Sequence, residues 1–132
     1  MITFDFDETL TRPIWDEKYQ LFEPSETPDY DSFEKLRNFN KQGKEIRIVT
    51  TRWNVTEIVD FVELYNLPIS SIHCTEGESK GETLFKIGSE LHFDDSPQEA
   101  VNNQKMGIPT VIVTYRFDKF NNREVCDFNL FS

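Results

Sequence analysis

Two aspartates, Asp5 and Asp7, close the first apolar stretch of the chain, Ile2-Thr3-Phe4-Asp5-Phe6-Asp7-Glu8-Thr9-Leu10-Thr11. Ile2, Phe4 and Phe6 alternate with polar positions, and the β-formers Ile, Thr and Phe dominate, so the stretch reads as a strand. A buried strand that stops in two carboxylates is costly unless a cation or a substrate uses the charge. The plainer reading is an edge strand running into a solvated acidic loop, and residues elsewhere must decide between the two. Two further apolar runs end in reactive groups. Glu45–Thr50 (EIRIVT) is followed by Thr51 and Arg52, and Leu91-His92-Phe93 is followed by Asp94-Asp95.

Four carboxylates gathered at one rim would repel and titrate upward unless a divalent cation neutralised them. Oxygen ligands without a nearby His or Cys suit a hard cation, and Mg²⁺ is the expected one. A cation with open positions recruits phosphate, whose remaining oxygens can be held by the Thr50 hydroxyl, a lysine and backbone N–H groups after the first strand. An aspartate beside a polarised phosphorus is a competent nucleophile and gives an aspartyl-phosphate. A second aspartate two residues on can protonate the leaving oxygen and then activate water.

The elements that must position these groups alternate along the chain. Asp31 opens a helix with Glu34 as capping partner and Phe33, Leu36 and Phe39 as its apolar face, ending at Gly43. After the strand Glu45–Thr50, Asn54 caps a second helix carrying Val55, Ile58, Val59, Val62 and Tyr65. Ile69–Cys74 is a short strand, a short helix lies around Glu82–Ile87, and Leu91–Phe93 is the fourth strand. Ser96-Pro97-Gln98-Glu99 starts a helix that stops at Gly107, and Thr110–Thr114 is the fifth strand. Alternating strands and helices predict an α/β fold, a three-layer sandwich of Rossmann-like type around a five-stranded parallel sheet. Ligands in such sheets bind at the carboxyl ends of the strands, where Asp5, Asp7, Thr50, Thr51, Arg52, Asp94 and Asp95 fall.

With 132 residues the chain reads as one domain, residues 1–132, and its aromatic content of 14% argues against disorder. The net charge of -10 is a poor match for a protein that grips a nucleic-acid backbone. No apolar run reaches the length of a membrane span and no leader is seen at the start. Cys74 and Cys126 lie far apart and read as reduced thiols, which fits a cytoplasmic protein. Two segments stay unassigned to a core element. Residues 12–29, with Pro13, Pro24, Pro28, Trp15, Tyr19 and Phe22, read as a folded flap or loop whose aromatics could stack on a base or sugar, and residues 115–132 form a tail.

The three motifs in their order resemble those of haloacid dehalogenase superfamily phosphohydrolases, a likeness that covers residues 1 to about 114. Asp5-Phe6-Asp7-Glu8-Thr9 resembles the family's first motif, Ile48-Val49-Thr50-Thr51-Arg52 its second and Phe93-Asp94-Asp95 its fourth. The resemblance implies Asp5 as nucleophile and Mg²⁺ ligand, and Asp7 as general acid and base whose carbonyl also touches the metal. It implies Thr50 as a phosphate ligand, Asp94 as a metal ligand, and Asp95 acting on the metal directly or through water. The family often has glycine where this chain has Glu8. The lone lysine of the third motif is Lys80 or Lys86, with Lys80 favoured because it precedes a short helix within reach of the strand ends.

Neither residues 12–29 nor Thr75–Gly81 has room for a cap domain, so an open rim is expected, with Arg52 and Trp53 at its mouth or else in a surface salt bridge or at the core edge. His73 and His92, inside apolar strands, read as structural. The expected activity is a Mg²⁺-dependent phosphoric monoester hydrolase, acting on a nucleotide or sugar phosphate or on the phosphorylated end of a polymer. Two alternatives come from other classes. One is a phospho-receiver module, whose order of acidic motifs is reversed relative to this chain, and the other a catalytically silent interaction domain of the same fold.

Overall fold

A computed structural model describes all 132 residues. In chain order the elements are β1 (Ile2–Phe4), β2 (Thr11–Asp16), β3 (Leu21–Pro28), α1 (Tyr30–Lys41), β4 (Ile46–Thr50), α2 (Thr56–Leu64), β5 (Ser71–Cys74), α3 (Gly81–Ile87), β6 (Leu91–Asp94), α4 (Pro97–Lys105), β7 (Thr110–Asp118) and β8 (Arg123–Leu130). The fold is α/β, with a mixed six-stranded sheet in the order β5-β4-β1-β6-β7-β8 and a separate two-stranded sheet, β2-β3. β1 pairs in parallel with β4 and β6, and β8 runs antiparallel to β7. No helix is long and apolar enough to cross a membrane.

β1 is central because each of its residues is buried, and a strand covered on both faces needs no polar side. Its neighbours diverge: the chain passes to β4 and β5 on one side, then returns to β6 and β7 on the other. That reversal opens the sheet edge beyond β1 to a ligand. Side-chain alternation splits the core. Phe4, Ile48 and Phe93 pack with Phe33 and Leu36 of α1 and Ile58 and Phe61 of α2. Val49, one residue from Ile48, packs instead with Leu84 of α3 and Ile108. Phe4 and Phe93, paired in register across β1 and β6, stack at 4.4 Å.

The two unassigned segments are strands. Of residues 12–29, all but Asp29 lie in an antiparallel hairpin, β2–β3, whose pairing slips between Arg12 and Ile14. Pro13, Pro24 and Pro28 obscure it in the sequence, because a proline cannot donate to a ladder and is tolerated where the partner needs no N–H. Trp15 and Phe22 are not free stacking platforms: Trp15 stacks on Phe117 of β7 at 5.0 Å and meets Phe22 edge to face. The segment 115–132 extends β7 to Asp118 and supplies β8, so the sheet has six strands where five were expected.

Helix starts also shift. Asp29, not Asp31, caps α1, accepting from the Asp31 N–H at 3.1 Å. Asn54 Oδ1 accepts from the Thr56 N–H ahead of α2. Ser96 caps α4 as its sequence indicates, with Pro97 in the first turn.

Candidate active site

Strand alternation puts Thr3 and Asp5 on one face of β1 and its extension, and His92 and Asp94 on the same face of β6. Thr3 and His92 are register partners. Asp5 is held one residue beyond β1 by its N–H, which donates to the Phe93 carbonyl at 2.8 Å. The two carboxylates therefore stand side by side at the sheet edge, and both are buried. Lys80, immediately before α3, reaches between them. Its Nζ donates to Asp5 Oδ1 at 2.8 Å and to Asp94 Oδ2 at 2.7 Å. Lys80 is only 2% exposed, whereas Lys86 pairs with Glu82 on the solvated side of α3. Of the two lysines, Lys80 is the one at the strand ends.

Asp5, Asp94 and Asp95 bring carboxylate oxygens within 4.8 Å of one another. The electrostatics record the crowding. Burial, then the charge of Asp94, raises the Asp5 carboxyl against the opposing pull of Lys80. Burial and a hydrogen bond to Asp5 push Asp95 up to about 9. Burial also works against an ionised Asp94, but its hydrogen bond from His92 and the Lys80 ammonium outweigh it and hold that carboxyl below the usual range. Lys80 lies above its ordinary value: burial opposes its charge, and Asp5 and Asp94 overcome it. One buried ammonium is set against three crowded carboxyl groups, and a divalent cation would let all three ionise.

The cavity over this cluster measures about 400 Å³. Its wall carries six carboxylate side chains (Asp5, Asp7, Glu8, Asp94, Asp95, Glu99) and one ammonium, Lys80. Thr51 lines it, and the hairpin contributes Pro24 and Ser25. Thr50 is fully buried and lies off the wall; its Oγ1 accepts from the Arg52 N–H at 3.2 Å and so shapes the turn that presents Thr51.

Asp7 faces the cavity from the other side but is engaged by Arg52, whose Nε and Nη2 donate to its two oxygens at 2.9 and 2.7 Å. Nη1 of the same guanidinium donates to Glu57. Arg52 thus bridges Asp7 to α2 rather than standing free at the mouth, and Trp53 is exposed beside it. Glu8, where a glycine was the expectation, adopts φ +56°. A non-glycine residue there costs roughly 1 kcal/mol, strain that often sits at sites of function. The Glu8 N–H donates to Thr11 Oγ1 at 3.0 Å, which secures the turn.

Three further side chains join the site, although residue order assigned them no individual part in it. Glu99 Oε2 accepts from the Lys80 N–H at 3.1 Å and fixes the start of α3. Thr9 Oγ1 donates to Asp5 Oδ2 at 3.3 Å. His92, read there as a packed residue, donates from Nε2 to Asp94 Oδ2 at 2.8 Å. The signal for His92 was its spacing: two residues before Asp94 on a strand, it must share that residue's face. His73, by contrast, is half-buried beside Arg47 and Ser71, away from the cluster.

No protein-family model matches the chain, and no curated protein matches it.

Proposed function

We propose that this chain is a Mg²⁺-dependent phosphomonoesterase of haloacid dehalogenase type, built on a Rossmann-like three-layer sandwich. One observation carries the reading: Lys80 bridges Asp5 and Asp94, with Asp95 alongside, so residues from three separate motifs meet at one sheet edge. The helices packed on both faces of the sheet support the same layout.

The donor set fits a hard divalent cation. Every candidate ligand, the Asp7 carbonyl included, is an oxygen, and the lining carries more negative charge than its one lysine offsets. Asp5, Asp94 and Asp95 would hold it, and when bound it would offset the charge of an incoming phosphate and polarise phosphorus. A phosphate dianion has no other reason to enter so acidic a cavity.

The chain's own groups then divide the work. Asp5 attacks phosphorus through a carboxylate oxygen, a P–O bond to Asp5 forms and the ester P–O bond breaks. Asp7 gives a proton to the leaving alkoxide. In the second half Asp7 takes a proton from water, the water oxygen bonds to phosphorus, and the bond to Asp5 breaks to release inorganic phosphate. Lys80, with two of its three N–H bonds committed to Asp5 and Asp94, has the third for a phosphoryl oxygen. Thr51 on the wall offers its hydroxyl to the rest of the substrate, whereas the hairpin's Ser25 hydroxyl is spent on the Arg12 carbonyl at 2.7 Å and lines the cavity without a free proton. For Asp7 to move a proton, Arg52 must release at least one of the oxygens it now holds.

An open cavity whose wall is carboxylates, hydroxyls and one lysine, with Pro24 but no large apolar side chain, suits a small polar phosphomonoester, a nucleotide or sugar phosphate, or the phosphorylated end of a polymer. The test is release of inorganic phosphate from p-nitrophenyl phosphate, then from nucleotides, sugar phosphates and 3′-phosphorylated oligonucleotides, with Mg²⁺ or EDTA. Mg²⁺-dependent turnover lost in Asp5→Asn is expected. A parent protein inactive across the whole panel, or an unimpaired Asp5→Asn, overturns the proposal.

A further inference from the structure

His92 is fully buried in the middle of a strand, a position where Val or Ile would pack without a polar penalty. Both of its ring nitrogens are nonetheless committed. Nε2 donates to Asp94 Oδ2 at 2.8 Å, and Nδ1 shares a hydrogen bond of 2.8 Å with Thr3 Oγ1. Thr3, also fully buried, is bonded in turn to Ser89 Oγ at 2.7 Å, and Ser89 Oγ contacts the Leu91 carbonyl at 3.2 Å. The result is a buried polar chain, Ser89–Thr3–His92–Asp94, that ends at the cavity.

The bonds to Asp94 are distributed unequally. Oδ2 takes two donors, Lys80 Nζ and His92 Nε2, which uses both of its lone pairs. Oδ1 takes only the Ser96 N–H, at 3.1 Å, and keeps a lone pair. Lys80 alone would not hold the carboxylate in one rotation, because its flexible side chain also answers to Asp5. The rigid imidazole, itself pinned at Nδ1, does.

We propose that His92 is a positioning residue for the cation site: it fixes Asp94 through Oδ2 so that Oδ1 is presented to a hard divalent cation, and Thr3 and Ser89 fix the imidazole. This rests on the reading of Asp94 as a metal ligand. Hydrogen-bonded partners of metal ligands typically govern metal affinity by about 10–100-fold.

The experiment is titration of the intact chain with Mn²⁺ as a probe, followed by electron paramagnetic resonance, with Mg²⁺ competition and a melting curve for each variant. His92→Leu, which keeps bulk but removes both ring nitrogens, is expected to weaken Mn²⁺ binding about 10–100-fold. His92→Gln, which can still donate an amide N–H to Asp94, is expected to recover most of that loss. The metal concentration for half-maximal phosphatase rate should rise in His92→Leu, with the rate at saturating metal much less affected. A residue that merely packs would lower the melting temperature and leave the Mn²⁺ affinity unchanged, and that result overturns the proposal. If His92→Leu does not fold, Thr3→Val decides: it retains the imidazole and removes its Nδ1 partner, so weakened Mn²⁺ binding supports the proposal and unchanged binding overturns it. A parent chain that binds no Mn²⁺ removes the metal reading and this proposal together. A Mn²⁺-binding, active parent with an unaltered His92→Leu affinity removes this proposal alone.

Discussion

Two places in the molecule gather three acidic or thiol groups within 4.8 Å: Asp5, Asp94 and Asp95 at the strand ends, and Asp29, Asp31 and Cys126 where α1 meets β8. By residue type the second is as good a ligand set as the first, and its physical state is the opposite. Asp29 is enclosed by donors. Its Oδ2 accepts from Tyr115 Oη at 2.7 Å, Cys126 Sγ at 3.2 Å and Ser32 Oγ at 3.2 Å, and its Oδ1 accepts from the Asp31 N–H. Burial and the Asp29 charge drive the Tyr115 hydroxyl and the Cys126 thiol far above their ordinary values, so both stay protonated as donors. This carboxylate is satisfied, and it ties α1 to β7 and β8. At the strand ends one lysine bridges two of three crowded carboxyl groups, and a cavity opens above them. A charged cluster becomes a candidate site when its demand for positive charge is left unmet.

The sharpest way to break this comparison is to make the same substitution in both clusters. Asp5→Asn removes the proposed nucleophile and should lower phosphate release by about 10⁴-fold or more. Its effect on stability should run the other way. Asp5 titrates above its ordinary value, so its charged form is disfavoured by folding at neutral pH, and an uncharged isostere relieves that. The melting temperature of Asp5→Asn in EDTA should exceed that of the parent. Asp29→Asn should do the reverse: the amide cannot accept from all the donors around it, which costs about 1–3 kcal/mol, while activity per folded molecule persists. Melting curves and phosphate assays on both variants check this, and shifts of equal sign would end the distinction.

How far these features could be read from residue order follows the same physics. Asp5 and Asp94 were legible because a parallel sheet carries strand-end residues to one rim, whatever the rest of the packing does, whereas Lys80, ahead of α3, was legible only as one of two candidate lysines. The hairpin was not, since its strands hold few apolar residues and three prolines. Its position depends on remote partners, among them Phe117 under Trp15 and Glu124, which pairs with Arg12 and accepts from the Trp15 N–H. β8 carries a faint period-two signal in Cys126, Phe128 and Leu130, and Cys126 and Phe128 pack against the main core. Interrupting polar residues hid it: Asp127 is there to meet Arg116 across the strand pair, a contact that residue order does not announce. For Arg52 a salt bridge was legible as an alternative to the substrate mouth, but its partner was not: Asp7 lies 45 residues away in the chain, and residue order does not announce their pairing.

Lys80→Met sharpens the contrast by removing the one cation that the strand-end cluster has. Leaving buried carboxylates without their partner should destabilise the chain by about 3–5 kcal/mol, read from denaturant unfolding in EDTA. Millimolar Mg²⁺ should recover part of this loss, whereas it should leave Asp29→Asn unaltered.

Acidity sharpens it further. With Asp95 raised to about 9, the cation-free fold favours its protonated form, and the sign of the linkage follows. The stability associated with that proton is complete below the ordinary carboxylate range, near pH 4, and is lost as pH rises toward 9. The melting temperature in EDTA should therefore fall between pH 5 and pH 9, and Mg²⁺ should offset the fall most strongly at the alkaline end. Because the cation displaces this proton, its affinity should tighten by up to about tenfold per pH unit below 9, with proton release visible by calorimetry in buffers of different ionisation enthalpy. A pH-independent Mg²⁺ affinity would show that Asp95 carries no such proton.

The smallest expected effect lies in the satisfied cluster. Tyr115→Phe removes the shortest bond to Asp29 but leaves Cys126, Ser32 and the Asp31 N–H in place. A carboxylate that keeps three donors loses little, so the cost should be about 1–2 kcal/mol in denaturant unfolding, with phosphate release and Mg²⁺ affinity unchanged. If this variant acquired a Mn²⁺ site, the donors around Asp29 would be what excludes a cation there. If it stayed without one, the low count of acceptors with free lone pairs would suffice, since Asp31 is exposed and Cys126 remains a protonated thiol.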